Sequence, residues 1–323
     1  MVTVRDITER IVSNIEKVVM GKRGVIELAL ACLYGEGHIL FEDVPGVAKT
    51  MLARSLALSF GVSFQRIQCT PDLLPTDVTG TSVFNQKTAE FEFRPGPILS
   101  NIVLADEINR ATPRTQSAFL EGMQEHQVTV DGKTHPCPSP FMVVATQNPV
   151  EHEGTFPLPE AQLDRFIMRI SVGYPTFEDE MTILQKLQKE HPIQHLGPVA
   201  TASELVAIIR AVREVHIEPA VRRYLLMIVR ATRDHRDLAL GASPRSALAL
   251  ERASQALAAV AGRSFVLPDD VKRAALPVLV HRVLVRPESR IRRVTAGYVL
   301  AQILEETAAP VGKPQELTGF EKG

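Results

Sequence analysis

Apolar positions recur at helical spacing over residues 7–19 and again over 25–33, which predicts two helices with Gly21 as the stop of the first. The run Ile39, Leu40, Phe41 predicts a strand, a turn-rich loop follows, and periodic apolar positions over 49–60 predict a helix. Residues 63–69 read as another strand, and the alternating runs 81–84 and 90–93 as a hairpin across Asn85-Gln86-Lys87-Thr88. Residues 102–105 form an unbroken apolar run, the pattern of a strand buried on both faces of a parallel sheet. Thr112 and Pro113 then fit the N-cap and first turn of a helix ending near Gln124. Asp131-Gly132 marks a second hairpin, 141–145 a further buried strand, 158–166 a short helix and 167–172 a strand. From Pro175 the pattern changes to helix after helix, over 178–189, 201–215, 218–233, 244–261 and 269–280. The chain therefore reads as an α/β core with a parallel sheet flanked by helices (1–174), a smaller all-α domain (175–309) and a flexible tail (310–323) in which Pro310, Gly312 and Pro314 fall.

Composition narrows the class of protein more than its chemistry. An apolar content of 45% with 23% charged residues is that of a soluble globular chain. Lys plus Arg, 36, nearly balances Asp plus Glu, 37, so nothing in the charge recommends a nucleic-acid partner. Cys32, Cys69 and Cys137 are odd in number and lack metal-ligand spacing, which predicts reduced thiols in a reducing compartment. The first residues hold no signal-peptide core and no apolar run reaches membrane-spanning length, so the expectation is a cytoplasmic protein without membrane insertion.

The candidate chemistry begins between the first strand and its helix. A nucleoside triphosphate needs converging backbone N–H groups, a helix N-terminus and a lysine for its outer phosphates. Val44, Pro45, Gly46, Val47, Ala48, Lys49, Thr50 and Met51 can supply all three, with the Thr50 hydroxyl placed for Mg²⁺. In the pattern G-x-x-x-x-G-K-[ST], however, the two glycines are Asp43 and Ala48. Ala48 is tolerable if its φ has the negative value of a helix start. Asp43 and Glu42 place two carboxylates close to where a polyanion would lie. Taken alone, the stretch is equally an ordinary strand, turn and helix with a solvated lysine. Upstream, Val18, Val19 and Gly21 are candidates for a turn pairing with an adenine edge, or else a plain helix C-cap.

Asp106 and Glu107 end a buried strand, where ligand sites of parallel sheets lie and where unpartnered carboxylates are costly. Asp106 could hold nucleotide-borne Mg²⁺ through water and Glu107 could polarise an attacking water; the plainer alternative is a strand running into an acidic turn. Asn148 could orient that water, or form an Asx turn before proline. Arg165 stands near the end of the short helix 158–166, where a cation is ordinarily a surface or dipole charge. Arg245, after Ser243-Pro244, stands at the wrong end of its helix for a dipole-stabilising cation, which invites a phosphate as the reason. Arg282, Arg286, Arg290, Arg292 and Arg293 read as a solvated basic face or a polyanion contact.

Taken in order, E-D-V-P-G-V-A-K-T, T-P-D-L-L-P-T-D-V-T-G, F-E-F-R-P-G-P-I, L-A-D-E-I-N-R-A-T-P-R-T-Q, A-T-Q-N-P and E-A-Q-L-D-R-F resemble the MoxR branch of the AAA+ ATPases over residues 7–290. The resemblance implies a P-loop AAA+ core and a lid, with ATP and Mg²⁺ as cofactors. By the same matching the Lys49 loop is Walker A, Asp106-Glu107 Walker B, Asn148 sensor 1, Arg165 the arginine finger and Arg245 sensor 2. Arg110 and Arg114 are further candidates for a neighbour's phosphates, and the hairpins near 81–95 and 127–141 match the helix-2 insert and pre-sensor-1 hairpin. It also implies a homo-oligomeric, hexameric ring acting like a chaperone on client proteins, often with von Willebrand factor A domains, sometimes for metal insertion. Two alternatives remain open: a magnesium-chelatase-like or helicase-like motor subunit, and an assembly scaffold that binds ATP without significant turnover.

Overall fold

The computed structural model describes residues 3–44, 46–148, 154–187 and 191–310; Pro45 and the tail beyond 310 lie outside the described residues. The order is α1 (Val4–Ile15), α2 (Arg23–Tyr34), β1 (Ile39–Glu42), α3 (Lys49–Phe60), β2 (Phe64–Gln68), α4 (Pro75–Thr79), β3 (Gly80–Asn85), β4 (Glu90–Pro95), β5 (Ile102–Asp106), α5 (Pro113–Glu125), β6 (Gln127–Val130), β7 (Lys133–Pro136), β8 (Met142–Gln147), α6 (Glu160–Leu163) and β9 (Met168–Ile170). Then come α7 (Phe177–Leu187), α8 (Ala202–Arg213), α9 (Pro219–Asp234), β10 (Leu238–Leu240), α10 (Pro244–Val260), α11 (Pro268–Leu279), β11 (Leu284–Val285), α12 (Pro287–Ile291) and α13 (Ala296–Glu306).

Five strands form one parallel sheet in the order β2-β5-β8-β1-β9. Successive side chains of a strand point to opposite faces, and here both faces are covered. Phe41, Leu104, Val144 and Ile170 join α1, α2 and α3 in one apolar cluster. Leu40, Val103, Ala105 and Val143 join Phe119 and Met123 of α5 in another. Each buried Val, Leu, Ile, Phe or Met among them contributes about 1.5–3 kcal/mol, and it is this double burial that makes the strands read as unbroken apolar runs. The first cluster continues through α8, α9, α10 and α11, so the helices after residue 174 share a core with α1 and α2. Two antiparallel hairpins, β3–β4 and β6–β7, stand apart from the sheet, and Phe93 of one stacks on His135 of the other at 3.7 Å. The helical part also holds a short antiparallel ribbon, β10–β11.

Helix ends follow local chemistry. Thr3 and Asp6 form a capping box on α1, and the Ser243 hydroxyl accepts from Ser246 N–H at the start of α10. The first helix ends at Ile15, four residues before its expected limit, as Val18 and Val19 both donate to the Ile15 carbonyl. Gly21 closes the turn instead with φ 67°, in a conformation that L side chains rarely adopt.

The joint between sheet and helical part departs from expectation. Arg282, expected on a solvated face, is buried: it pairs with the Asp164 carboxylate at 2.7 Å and donates to the carbonyls of Asp164, Phe166, Ile167 and Val278. Burial draws its pKa down, and the pairing with Asp164 opposes this. His281 beside it donates Nε2–H to the Phe166 carbonyl at 2.9 Å. Across the sheet, His38 is a buried neutral ring: its Nδ1 accepts from Val143 N–H at 2.9 Å, which leaves Nε2–H to donate to the Met123 carbonyl at 3.0 Å. Burial pushes the His38 pKa down to about 4, and burial together with the Arg282 charge holds His281 well below the usual range.

A folded-state pKa below the unfolded value means that the unfolded chain binds the extra proton. Stability present above pH ~6.5 is therefore lost as pH falls, for His38 down to about pH 4. The loss from His38 should reach on the order of 3 kcal/mol, the upper bound set by that shift. Denaturant unfolding of the wild type and His38→Asn at pH 7 and pH 4.5 checks this. The wild type should lose more stability than the variant; equal losses would contradict the buried neutral ring.

Candidate active site

Because β5, β8 and β1 are adjacent and parallel, their C-terminal ends place three distant segments side by side. Gly46, Val47, Ala48, Lys49, Thr50, Met51, Asp106, Glu107, Thr146 and Asn148 line one cavity of about 330 Å³. The sequence-predicted groups of the strand ends and of the phosphate loop from Gly46 to Met51 are therefore in one place; Val44 is not in the lining, and Pro45 lies outside the described residues.

The loop resolves both departures from the expected glycines. Ala48 does not take a negative φ: it is left-handed at φ 62°, the conformation a glycine would adopt freely. For an L-alanine this costs about 1–2 kcal/mol. Ala48→Gly should therefore be at least as stable as the wild type, although Ala→Gly in or beside a helix ordinarily costs up to ~1 kcal/mol. Ala48→Val should lose more than ~1 kcal/mol, since β-branched residues fit this conformation poorly. Thermal unfolding of the pair decides it; a destabilised glycine variant would contradict the left-handed backbone.

Asp43 does not face the cavity as a bare charge. Its Oδ2 accepts from the Ser171 hydroxyl at 2.8 Å and from Gly173 N–H at 2.7 Å, and its Oδ1 from Val44 N–H at 2.9 Å. Burial pushes its pKa up, but the bonds from Gly173, Ser171, Val44 and Val172 together outweigh this and hold it low. Asp43 thus ties the loop to the chain leaving β9. Glu42 pairs with Arg169 at 2.5 Å, so neither carboxylate is left unpaired. Lys49 Nζ donates to the Asp43 carbonyl at 2.9 Å; burial draws its pKa down, against the charges of Asp43, Asp106 and Glu107.

Two residues of β2, unremarked in the sequence, complete the acidic end of β5. Arg66 and Gln68 lie two apart and so share a face of their strand. Arg66 donates to Asp106 Oδ2 at 2.7 Å, and the Thr146 hydroxyl donates to Asp106 Oδ1 at 2.6 Å. Gln68 Nε2 donates to Glu107 Oε2 at 3.0 Å, and Arg110 Nη1 reaches the same oxygen at 3.3 Å. Arg110 is thereby turned toward its own chain's Glu107. Thr146 Oγ1 also accepts Glu107 N–H at 2.8 Å, fixing the left-handed turn at Glu107, φ 57°. The only sequence signal for this network was a strand with polar residues at alternate positions.

Among the described residues no cluster of three or more His, Cys, Asp or Glu could hold a metal by itself. That suits Mg²⁺, which takes one or two protein oxygens beside phosphates and waters. Thr50 and Asp106 line the same cavity; Asp106 Oδ2 is occupied by two N–H bonds from Arg66, but Oδ1 accepts only from Thr146 and keeps a lone pair. The donor set fits.

Arg165 and Arg245 are not brought to this cavity. They line a second one, of about 290 Å³, with Gly37 and His38 before β1 and Ile167 before β9, at the N-terminal ends of the strands. From His38 to Val44 the chain runs six residues, roughly 20 Å when extended. A phosphate from the other domain is one reason the helix position of Arg245 invites, but its place at the far end of the sheet, with α10 packed on α2, sets it apart from its own chain's Lys49. Val18, Val19 and Gly21 are likewise not in the lining of the Lys49 cavity. Val19 is buried, and a side chain at Gly21 would stand 2.0 Å from Asp179. The turn does lie near the segment that anchors Asp43, as Lys22 Nζ donates to the Tyr174 carbonyl at 2.7 Å.

A parallel sheet carrying this loop and acid pair, followed by helices, is the arrangement of a nucleotide-binding α/β core with a helical part after it. The sequence profile of the ATPase family associated with various cellular activities (AAA) matches residues 38–168, and that of the AAA lid domain residues 230–303. YeaC of Bacillus subtilis is 50% identical over 93% of this chain and 94% of its own length. Chaperone MoxR1 of Mycobacterium tuberculosis is 40% identical over 94% of this chain and 82% of its own, and MoxR of Paracoccus denitrificans 31% identical over 85% and 88%. The crystal structure of a candidate ATPase from Cytophaga hutchinsonii superposes with a TM-score of 0.89 at 37% identity, covering 95% of this chain and 96% of that one. The chain belongs to the MoxR family of AAA+ ATPases. Among the described residues no helix is long and apolar enough to cross a membrane.

Proposed function

We propose that this chain hydrolyses ATP in the cavity at Lys49 and uses the cycle, within a ring of identical chains, to remodel or activate client proteins. The observation that carries the reading is the convergence of Lys49, Thr50, Asp106, Glu107 and Asn148 at three adjacent strand ends. Lys49 binds the outer phosphates, Glu107 takes the proton of the attacking water, and Asn148 orients that water. Thr50 and Asp106 would hold Mg²⁺, which when bound would offset charge on the phosphate oxygens. The backbone of Val18, Val19 and Gly21 pairs with the adenine edge. Residues 1–174 act as the nucleotide-binding core and 175–309 as the lid.

What supports a ring is the place of Arg165 and Arg245, which line a cavity that does not include their own Lys49; in this reading they serve the nucleotide of a neighbour. Family resemblance supports a hexamer, a cytoplasmic setting and clients with von Willebrand factor A domains, including metal-insertion clients. The test of the site is Lys49→Ala, read by calorimetric titration with Mg-ATP. Affinity should fall at least tenfold, because a charge-assisted contact to the phosphates is lost; unchanged affinity would show that the nucleotide binds elsewhere.

A further inference from the structure

We propose that Arg252 is a third arginine of the inter-subunit site and that, with Arg165 and Arg245, it holds the polyphosphate chain of a neighbouring subunit's nucleotide. Arg252 stands seven residues after Arg245 on α10, so the two share a face of the helix about 10 Å apart along its axis. Both line the cavity that holds Arg165. The carboxylates on its wall are already engaged, Glu36 by Arg213 and Asp164 by Arg282. Arg165 is steadied by Gln124 Oε1 at 3.1 Å. Arg245 and Arg252 make no side-chain hydrogen bond or ion pair among the described residues, and both are exposed.

Three guanidinium groups facing one cavity, over the buried charge of Arg282, repel one another until an anion enters. Guanidinium forks suit phosphate oxygens in particular. Arg245 and Arg252 enter the cavity from backbone positions about two helical turns apart, a separation that suits an extended polyanion better than one phosphate group. Arg165 and Arg245 take its terminal phosphate and Arg252 an inner one. Arg252 is a binding and positioning residue, so its loss should weaken substrate binding more than turnover.

The inference rests on the trans role of the two arginines proposed above, and two measurements separate their failures. In the first, the Lys49→Ala chain, whose own phosphate loop is disabled, is titrated with inorganic tripolyphosphate at fixed ionic strength. One site should be seen, weakened about tenfold by adding Arg252→Ala and partly restored by Arg252→Lys, while orthophosphate should be insensitive to position 252. In the second, Arg252→Ala in the otherwise native, assembled protein should raise KM for ATP about tenfold with kcat kept within threefold. Tripolyphosphate affinity independent of residue 252, or an unchanged KM, overturns the proposal even if Arg165→Ala is inactive and the trans reading stands. Arg252-dependent binding combined with full activity of Arg165→Ala also overturns it, since the pocket would then serve some other polyanion.

Discussion

Glu107→Gln should leave ATP binding within a few fold of the wild type and reduce turnover by about 10²–10⁴. Glutamine keeps the size of the side chain and an oxygen that can accept from Gln68 and Arg110, so the geometry around the residue survives. It loses the charge and basicity needed to take a proton from water. Asp106, tied separately to Arg66 and Thr146, remains in place, so binding and turnover are separable at this pair. Nucleotide titration and steady-state phosphate release on the same preparation check the split. Normal turnover in the variant would remove Glu107 from the reaction and return Asp106-Glu107 to the status of an acidic turn. Retained binding without turnover in the wild type itself would favour an assembly scaffold.

What was legible in the sequence was what local pattern controls. The helix at Lys49–Phe60 has its expected limits, and β5 and β8 were visible because strands buried on both faces carry unbroken apolar runs. The positions of Lys49, Thr50, Asp106 and Asn148 followed from where loops leave such strands. What escaped depends on partners far along the chain. Asp43 looked like a charge facing phosphate because Ser171 and Gly173, which bind it, lie 128 and 130 residues away. Arg282 looked solvated because its acceptors, Asp164 and Phe166, come from another segment. The left-handed φ of Ala48 is imposed by the loop as a whole, against the preference of the residue. Arg66 and Gln68 read only as polar strand positions until β2 was placed beside β5. The helix start at Ser243 was plain, but which end of the sheet it faces is decided by the packing of α10 on α2.

Arg165→Ala should reduce hydrolysis by about 10³–10⁵, the range over which a trans arginine accelerates phosphoryl transfer by stabilising charge on the transferring group. Nucleotide affinity of the isolated chain should be little changed, because Arg165 lies at the N-terminal ends of the strands and Lys49 at their C-terminal ends. A stability defect would be a different result. Among the described residues the Arg165 side chain makes a single hydrogen bond, to Gln124, so its removal should shift Tm by little.

The claim that one chain's arginines complete another chain's site is tested most directly by mixing two inactive variants. A Glu107→Gln chain cannot cleave but offers Arg165; an Arg165→Ala chain can cleave but offers no arginine. With mixed assemblies confirmed by differential tagging, ATP hydrolysis should rise well above the sum of the separate activities, wherever a competent pocket faces an intact Arg165. Activity that stays at that sum in confirmed mixed assemblies would contradict a shared site and leave Arg165 a structural charge on its own chain.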